Sequence, residues 1–300
     1  MKTTAEPQTS QDKTEESVTP YTCMMTAYLR GAETKRDDAI CNDPYAEALG
    51  GDAGRELAAH VAKLTRREDQ LSDYIVIRTR FIDETLANRD PVIQQVVMLG
   101  AGLDARAYRM KALADCRVIE MDASTEMLDR KRRILSEMNA QLLAKEHHVV
   151  VVDLADESWT TELLNNGFNP MEPTFWLLEG LLQYIDYDSN VRLIKTLDRL
   201  SAPNSQIWLD LPGRDAVTTT TVTQDEKEGF WRTRATKYGE NNPQEGVLSV
   251  INWDLRVTAD FSHPADFYGR QWVPLSYTSS QGEEKVVPMF FVQATKPASP

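Results

Sequence analysis

This chain has little cysteine, little histidine, no long apolar run and no excess of basic charge. Its three cysteines, Cys23, Cys41 and Cys116, stand far apart in 300 residues. Their odd number and wide spacing make neither a disulfide framework nor a zinc motif, and they point to a reducing, cytoplasmic setting. Each reads as a buried thiol, because free cysteine packs as a small hydrophobe. The four histidines, His60, His147, His148 and His263, show no metal-ligand spacing, so no metal is expected. No apolar run approaches the about 20 residues of a membrane span, and the stretch before Tyr21 has no apolar signal core. Lys and Arg total 33 against 46 Asp and Glu, a formal net charge of −13. Nucleic-acid binders carry a basic face and anionic membranes attract basic ones, so neither partner is expected.

What remains is a chain that is 41% hydrophobic and long enough to bury a substantial core. Residues 1–20 read as a polar, disordered tail. Helical patterns come next, over Tyr21 to Arg30, Leu57 to Leu64 and Asp73 to Asn88, with Asp43 and Pro44 expected to cap and open a further helix. Short apolar runs then alternate with helical ones: Val96–Leu99, Arg117–Met121, His148–Val152, Thr174–Leu178 and Gln206–Leu211. Helices are expected over Met127 to Ala144 and Asp188 to Leu200. Alternation of this kind predicts a parallel sheet covered on both faces. Val286 to Thr295 reads as a long last strand, with a strand near Phe267–Val273 as its antiparallel partner. The expected organisation of residues 21–300 is one domain. It comprises a helical cap at 21–90, a cofactor-binding core at 91–212, a lid or substrate region at 213–265 and closing strands at 266–300. The threonine-rich run Thr218–Thr223 would be an exposed lead into the lid.

The sharpest signal lies at Val96-Val97-Met98-Leu99-Gly100-Ala101-Gly102-Leu103-Asp104, answered by Val118-Ile119-Glu120-Met121-Asp122. An apolar strand runs into a glycine turn, and the next strand ends in a carboxylate. Gly100 and Gly102 allow a tight turn and a close backbone approach to a ligand. A carboxylate at the second strand tip can accept hydrogen bonds from both ribose hydroxyls. Glu120 competes with Asp122 for that role, but alternation along a strand lets only one of them face the ribose, and Asp122 has the better position. The spacing Gly100-x-Gly102-x-x-Ala105 also fits a loose dinucleotide fingerprint, so a nicotinamide oxidoreductase stays open. Asp104 argues the other way. A carboxylate there repels a diphosphate and suits a cofactor that ends in a cation.

Four motifs in order carry a resemblance. Tyr74-Ile75-Val76-Ile77-Arg78-Thr79-Arg80-Phe81-Ile82-Asp83 precedes the glycine loop, which continues through Ala105-Arg106-Ala107-Tyr108-Arg109. Val152-Asp153-Leu154 and Trp176-Leu177-Leu178-Glu179-Gly180-Leu181-Leu182-Gln183-Tyr184 follow. Together they resemble the leucine carboxyl methyltransferase family, from about Tyr21 to Leu211. The resemblance implies a seven-stranded, doubly wound Rossmann-like methyltransferase sheet and S-adenosyl-L-methionine as cofactor. It implies Asp153 and Leu154 as adenine contacts, Glu179 beside the methionine part, and Arg78 on the cofactor carboxylate. Independently, Asp153 could be a helix N-cap, and Glu179 occupies a strand end, where α/β sheets bind ligands. A further basic contact is implied near Arg30, Lys35 and Arg36, without a choice among them.

Methyl transfer to a carboxylate needs alignment and exclusion of water rather than a general base. No acid–base dyad is visible in the sequence, which agrees. A hydroxyl acceptor would gain from a base, for which Tyr184, His263 and Asp210 are candidates. Arg214, Arg232, Arg234 and Arg256 are candidates to neutralise a carboxylate acceptor. The expected activity is O-methylation of a carboxyl or hydroxyl on a small molecule, such as a polyketide or other secondary metabolite. A protein C-terminus is the second acceptor, and a non-catalytic cofactor-binding protein is a further alternative.

Overall fold

The computed structural model describes residues 19–65, 68–156, 158–219, 236–278 and 281–298. The expected tail therefore lies almost wholly outside the described residues, as do most of the threonine-rich run, Arg232 and Arg234. Three helices come first: α1 (Thr19–Thr34), α2 (Ala46–Thr65) and α3 (Glu68–Ala87). Then follow β1 (Gln95–Leu99), α4 (Arg106–Arg109), β2 (Arg117–Asp122), α5 (Thr125–Glu137), β3 (Glu146–Val151), α6 (Trp159–Asn165) and β4 (Thr174–Leu178). A 3-10 turn at Leu182–Tyr184 leads to α7 (Tyr187–Leu200), β5 (Gln206–Pro212) and the short α8 (Ala216–Thr219). The chain ends with β6 (Asp254–Asp260), β7 (Ala265–Phe267), β8 (Arg270–Trp272), β9 (Ser276–Thr278), β10 (Glu284–Val286) and β11 (Met289–Thr295).

Among the described residues, seven strands form one sheet in the order β3-β2-β1-β4-β5-β11-β6. Its first five strands are parallel, and β11 runs antiparallel to both β5 and β6. Alternate residues serve opposite faces. Val97, Leu99, Ile119, Trp176, Leu178 and Leu209 meet Trp159 and Leu163 of α6 and Leu193, Ile194 and Leu197 of α7. Val96, Met98, Val118, Phe175, Leu177 and Trp208 meet Ile77, Ile82 and Leu86 of α3. Both faces are apolar because both are covered by helices, which is why the strands read as unbroken hydrophobic runs.

Four local expectations are corrected. The second helix opens at Ala46, not Pro44, while Asp43 keeps its place before it: Oδ1 accepts from Tyr45 N (3.3 Å) and Oδ2 from Arg30 Nε (3.1 Å). The helix expected through Ala144 stops at Glu137, and Asn139 then takes a positive φ of 53°. The expected last strand is broken at Val287-Pro288. Val287 N donates sideways to Leu275 O (2.7 Å), and proline offers no ladder donor. Its partner is β6 rather than the stretch near Phe267, which instead folds back as the β7–β8 hairpin. Tyr268 and Gly269 both have positive φ, the geometry of a two-residue hairpin turn. That hairpin is held by aromatic contacts, with Phe267 and Tyr268 edge-on to Phe81 of α3. Arg270 adds bonds to Glu33 and Asp38, both 2.8 Å, just after the cavity-facing stretch of α1.

Candidate functional site

The carboxyl ends of the parallel strands open into a cavity of about 920 Å³. That is near the top of the about 300–1,000 Å³ range of ligand pockets. It straddles the place where strand order reverses, between β1 and β4, the usual ligand position in open α/β sheets. One side of α1 roofs it, through Thr22, Cys23, Met25, Thr26 and Arg30. The roof is held close by glycine. A Cβ at Gly50 or Gly54 of α2 would come within 2.8 Å of α1 backbone atoms.

The glycine loop behaves as its sequence requires. Gly100 (φ 69°) and Gly102 (φ 44°) both adopt the left-handed backbone, and a Cβ at Gly102 would meet Cys23 at 3.3 Å. Gly100 N and Ala101 N donate to Met121 O (2.8 and 3.1 Å), which ties the loop to the end of β2. Asp122 faces the cavity. Its Oδ2 accepts from Gly102 N and its Oδ1 from Ser124 N, each at 2.8 Å. A carboxylate has about four acceptor positions, so this one is oriented by the main chain with capacity left for two hydroxyls. Glu120 points the other way. It is fully buried, with Lys131 Nζ at 2.6 Å and His147 Nε2 at 3.2 Å. Burial pushes its carboxyl up, but Lys131 and His147 outweigh that and hold it below the ordinary range.

Buried ion pairs form the floor of the cavity. Arg78 places Nη1 2.8 Å from Asp210 Oδ2 and Nε 3.0 Å from Glu179 Oε1. Asp210 also accepts from the Tyr74 hydroxyl (3.0 Å) and from Gly180 N (2.6 Å). Burial and then the Asp210 charge push the Tyr74 hydroxyl well above its ordinary pKa, so Tyr74 remains a donor. Arg106 bonds Asp104, Glu179 (Nη1 to Oε2, 2.8 Å) and Asp83 (Nε to Oδ1, 2.7 Å). Arg109 adds a second bond set to Asp83, at 2.6 and 2.8 Å. Burial pushes the carboxyls of Asp83, Asp104 and Glu179 up. The neighbouring arginines outweigh it and hold all three below the ordinary carboxylate range.

The sequence-derived residues thus divide. Arg78, Gly100, Gly102, Asp104, Asp122, Asp153, Glu179, Tyr184 and Asp210 line the cavity. Asp153 is exposed, and its Oδ1 also accepts from Ala155 N (2.9 Å), the cap-like turn weighed as its alternative role. Leu154 packs against the core on the α6–α7 face. Among the three cations near the end of α1, Arg30 faces the cavity, while Lys35 pairs with Glu47 and Arg36 with Asp38 at the surface. His263 is exposed in the turn after β6 and is not among the lining residues, so it drops out as a base. Arg214 and Arg256 are likewise exposed and outside the lining.

Sequence reasoning assigned no role to Arg106, Asp83 or Lys131. Arg106 and Arg109 belong to the quoted glycine-loop motif, but their partner Asp83 lies more than twenty positions earlier on α3. Lys237, which also lines the cavity, carried no signal. Cys23 lines the cavity as an inert thiol, since burial and then the Asp122 charge push it up to about 12. Six carboxylates and three cations line the cavity among the described residues, which favours a ligand with net positive charge.

Residues 23–198 match the model of the leucine carboxyl methyltransferase family. A Mycobacterium bovis protein named as an S-adenosyl-L-methionine-dependent methyltransferase is 32% identical over 275 residues, 88% of this chain and 75% of that protein. A similarly named Parafrankia protein is 36% identical over 194 residues, 63% of this chain and 62% of the relative, so the match spans less than two thirds of that protein's length. A solved DUF574 family protein from Streptomyces avermitilis aligns over 92% of this chain and 97% of its own, with a TM-score of 0.57 at 12% identity. That last likeness is one of fold. No helix among the described residues is long and apolar enough to cross a membrane.

Proposed function

The chain belongs to the leucine carboxyl methyltransferase family, and on that premise we propose that it methylates a carboxyl or hydroxyl oxygen of a small molecule. It is an S-adenosyl-L-methionine-dependent methyltransferase, which sets aside the nicotinamide reading. The observation that carries the cofactor assignment at residue level is the Asp122 carboxylate, oriented by two backbone amides and open to the cavity. The surplus of lining carboxylates also fits a cofactor that carries a sulfonium and an ammonium.

When bound, S-adenosyl-L-methionine supplies a methyl carbon already activated by its sulfonium. Asp122 would accept from the ribose hydroxyls, Asp153 would accept from the adenine amino group and the Leu154 amide would donate to a ring nitrogen. Glu179 would receive the ammonium and Arg78 the carboxylate; these two side chains pair with each other at 3.0 Å. Gly100 and Gly102, without a Cβ, would leave room for the cofactor along the loop, and α1, which lines the cavity, would shield it from water. Residues 21–90 would thereby act as the cap; the expected lid at 213–265 does not hold as one region, because β6 within it is an edge strand of the sheet and only Lys237 of its described residues lines the cavity.

Calorimetric titration of the purified protein tests the cofactor. We expect micromolar binding of S-adenosyl-L-methionine and of its demethylated product, and none of NADH. Binding of NADH alone would overturn the assignment.

A carboxylate acceptor is ionised above a pKa of about 4. The rate at saturating cofactor should then stay nearly flat between about pH 6 and 9, and Tyr184→Phe should cost far less than the about 10²–10⁴-fold typical of a general base. A steep rise near neutral pH that vanishes in Tyr184→Phe would move the acceptor to a hydroxyl and make Tyr184 the base.

A further inference from the structure

The cavity has two halves. Gly100, Gly102, Asp122 and Asp153 stand at or just beyond the carboxyl ends of β1, β2 and β3, where the proposed function places the cofactor. The other half lies over β4, β5 and the start of β11. Met289 is the register partner of Pro212 at the end of β5, and Leu275 O accepts from Val287 N (2.7 Å) just before β11. Gln183 and Tyr184 follow β4 and complete that half.

Lys237 reaches the same half by a fixed route. Its N donates to Gln183 O (2.7 Å), and Tyr238 N donates to the same oxygen (3.2 Å). Tyr238 is buried and its hydroxyl donates to the buried Glu240, while Glu240 N donates to Pro212 O (2.9 Å). The main chain carrying Lys237 is therefore stitched to the 3-10 turn after β4 and to the end of β5, although the side chain itself is exposed at the cavity.

Charge pairing then singles this lysine out. Of the three lining cations, Arg30 is engaged by Asp43 and Leu103 O, and Arg78 by Asp210 and Glu179. The Lys237 ammonium has no hydrogen-bond or ion-pair partner among the described residues. The carboxylates at the ends of β4 and β5 are already taken, Glu179 by Arg78 and Arg106 and Asp210 by Tyr74, Arg78 and Gly180. A lone ammonium that shares the cavity lining with apolar Leu275 and Met289 offers one charged contact and one apolar contact to whatever enters.

We propose that Lys237 selects the methyl acceptor: its ammonium receives an anionic group of an amphipathic acceptor whose apolar part rests on Leu275 and Met289. This rests on the methyltransferase reading for the location of the acceptor, and the test keeps the two apart. Straight-chain carboxylates from hexanoate to dodecanoate, and the amides of the same chain lengths, are titrated into the full chain by calorimetry. Each series is run with and without the demethylated cofactor product. The wild type should prefer acid over amide by at least about tenfold, the worth of one charge-assisted hydrogen bond. Lys237→Met should abolish that preference, Lys237→Arg should keep it, and affinity for the demethylated cofactor should change less than about twofold in either variant. Equal binding of acid and amide by the wild type, no binding of either at millimolar concentration, or a preference that survives in Lys237→Met would overturn the proposal. Failure of the demethylated cofactor to bind would strike the methyltransferase reading instead, and the acid–amide comparison without it would still decide the role of Lys237.

Discussion

Arg106→Met should destabilise the fold by about 3–5 kcal/mol, the cost of removing one partner from a buried ion pair. Arg106 is 2% exposed, and its guanidinium bonds three carboxylates, those of Asp83, Asp104 and Glu179. Methionine fills much of the volume and leaves the three acids facing one another without their common cation. Arg109 still holds Asp83, and Arg78 still holds Glu179, so the uncompensated charge concentrates at Asp104 and at the inner oxygen of Glu179. Urea unfolding, with the slope unchanged and the midpoint lowered, is the measurement. A loss under about 1 kcal/mol would show that the network contributes no more than an exposed pair does. Acid provides a second reading. In the wild type these carboxyls have lowered pKa values, so their contribution is complete above the ordinary carboxylate value of about 4 and is lost as pH falls through the lowered values. In the variant the same acids gain from protonation. The stability gap between the two proteins should therefore narrow as pH is lowered from 7 towards 4.

Asp122→Ala should weaken cofactor binding by about 1.5–3 kcal/mol for each charged hydrogen bond lost. Two ribose hydroxyls lose their acceptor, and Gly102 N and Ser124 N lose theirs as well. Affinity should fall well over tenfold, with a smaller change in melting temperature, because Asp122 is only partly buried. Glu120→Ala, two residues away, should do the reverse. It strands the buried Lys131 and spares the cofactor, since Glu120 faces Lys131 and His147 beneath the loop. Titration calorimetry and thermal melts on the two variants separate these outcomes. If Glu120→Ala cost the affinity and Asp122→Ala the stability, the ribose carboxylate would be the wrong one.

The parallel core was legible because its central strands β1, β4 and β5 are apolar on both faces and each parallel strand is followed by a glycine or a polar break. Trp176 and Leu177 serve opposite faces, and no amphipathic alternation disguises them. Asp122 was legible for the same local reason, as a charge at the tip of such a strand. The antiparallel edge was not. Residues of β6 alternate weakly, with Arg256 and Val257 both exposed, and the more hydrophobic stretch around Phe267 and Trp272 is aromatic because it packs on α3. The ion-pair floor was out of reach for a different reason. Asp83 with Arg106, and Arg78 with Asp210, are partners only after the fold closes over 23 and 132 positions of chain. Single-sequence patterns report neighbours along a helix or strand, and these are not.

The placement of β11 has a consequence for how the protein is made. It lies between β5 and β6, both of which precede it in the chain. A nascent polypeptide that has emerged only as far as Pro288 therefore holds β5 with one bare edge and β6 with none of its sheet partners. Bare strand edges pair readily with other chains. Translation stalled or a message truncated before the codons for Met289–Thr295 would release a product with most of its core in place and its sheet unsealed.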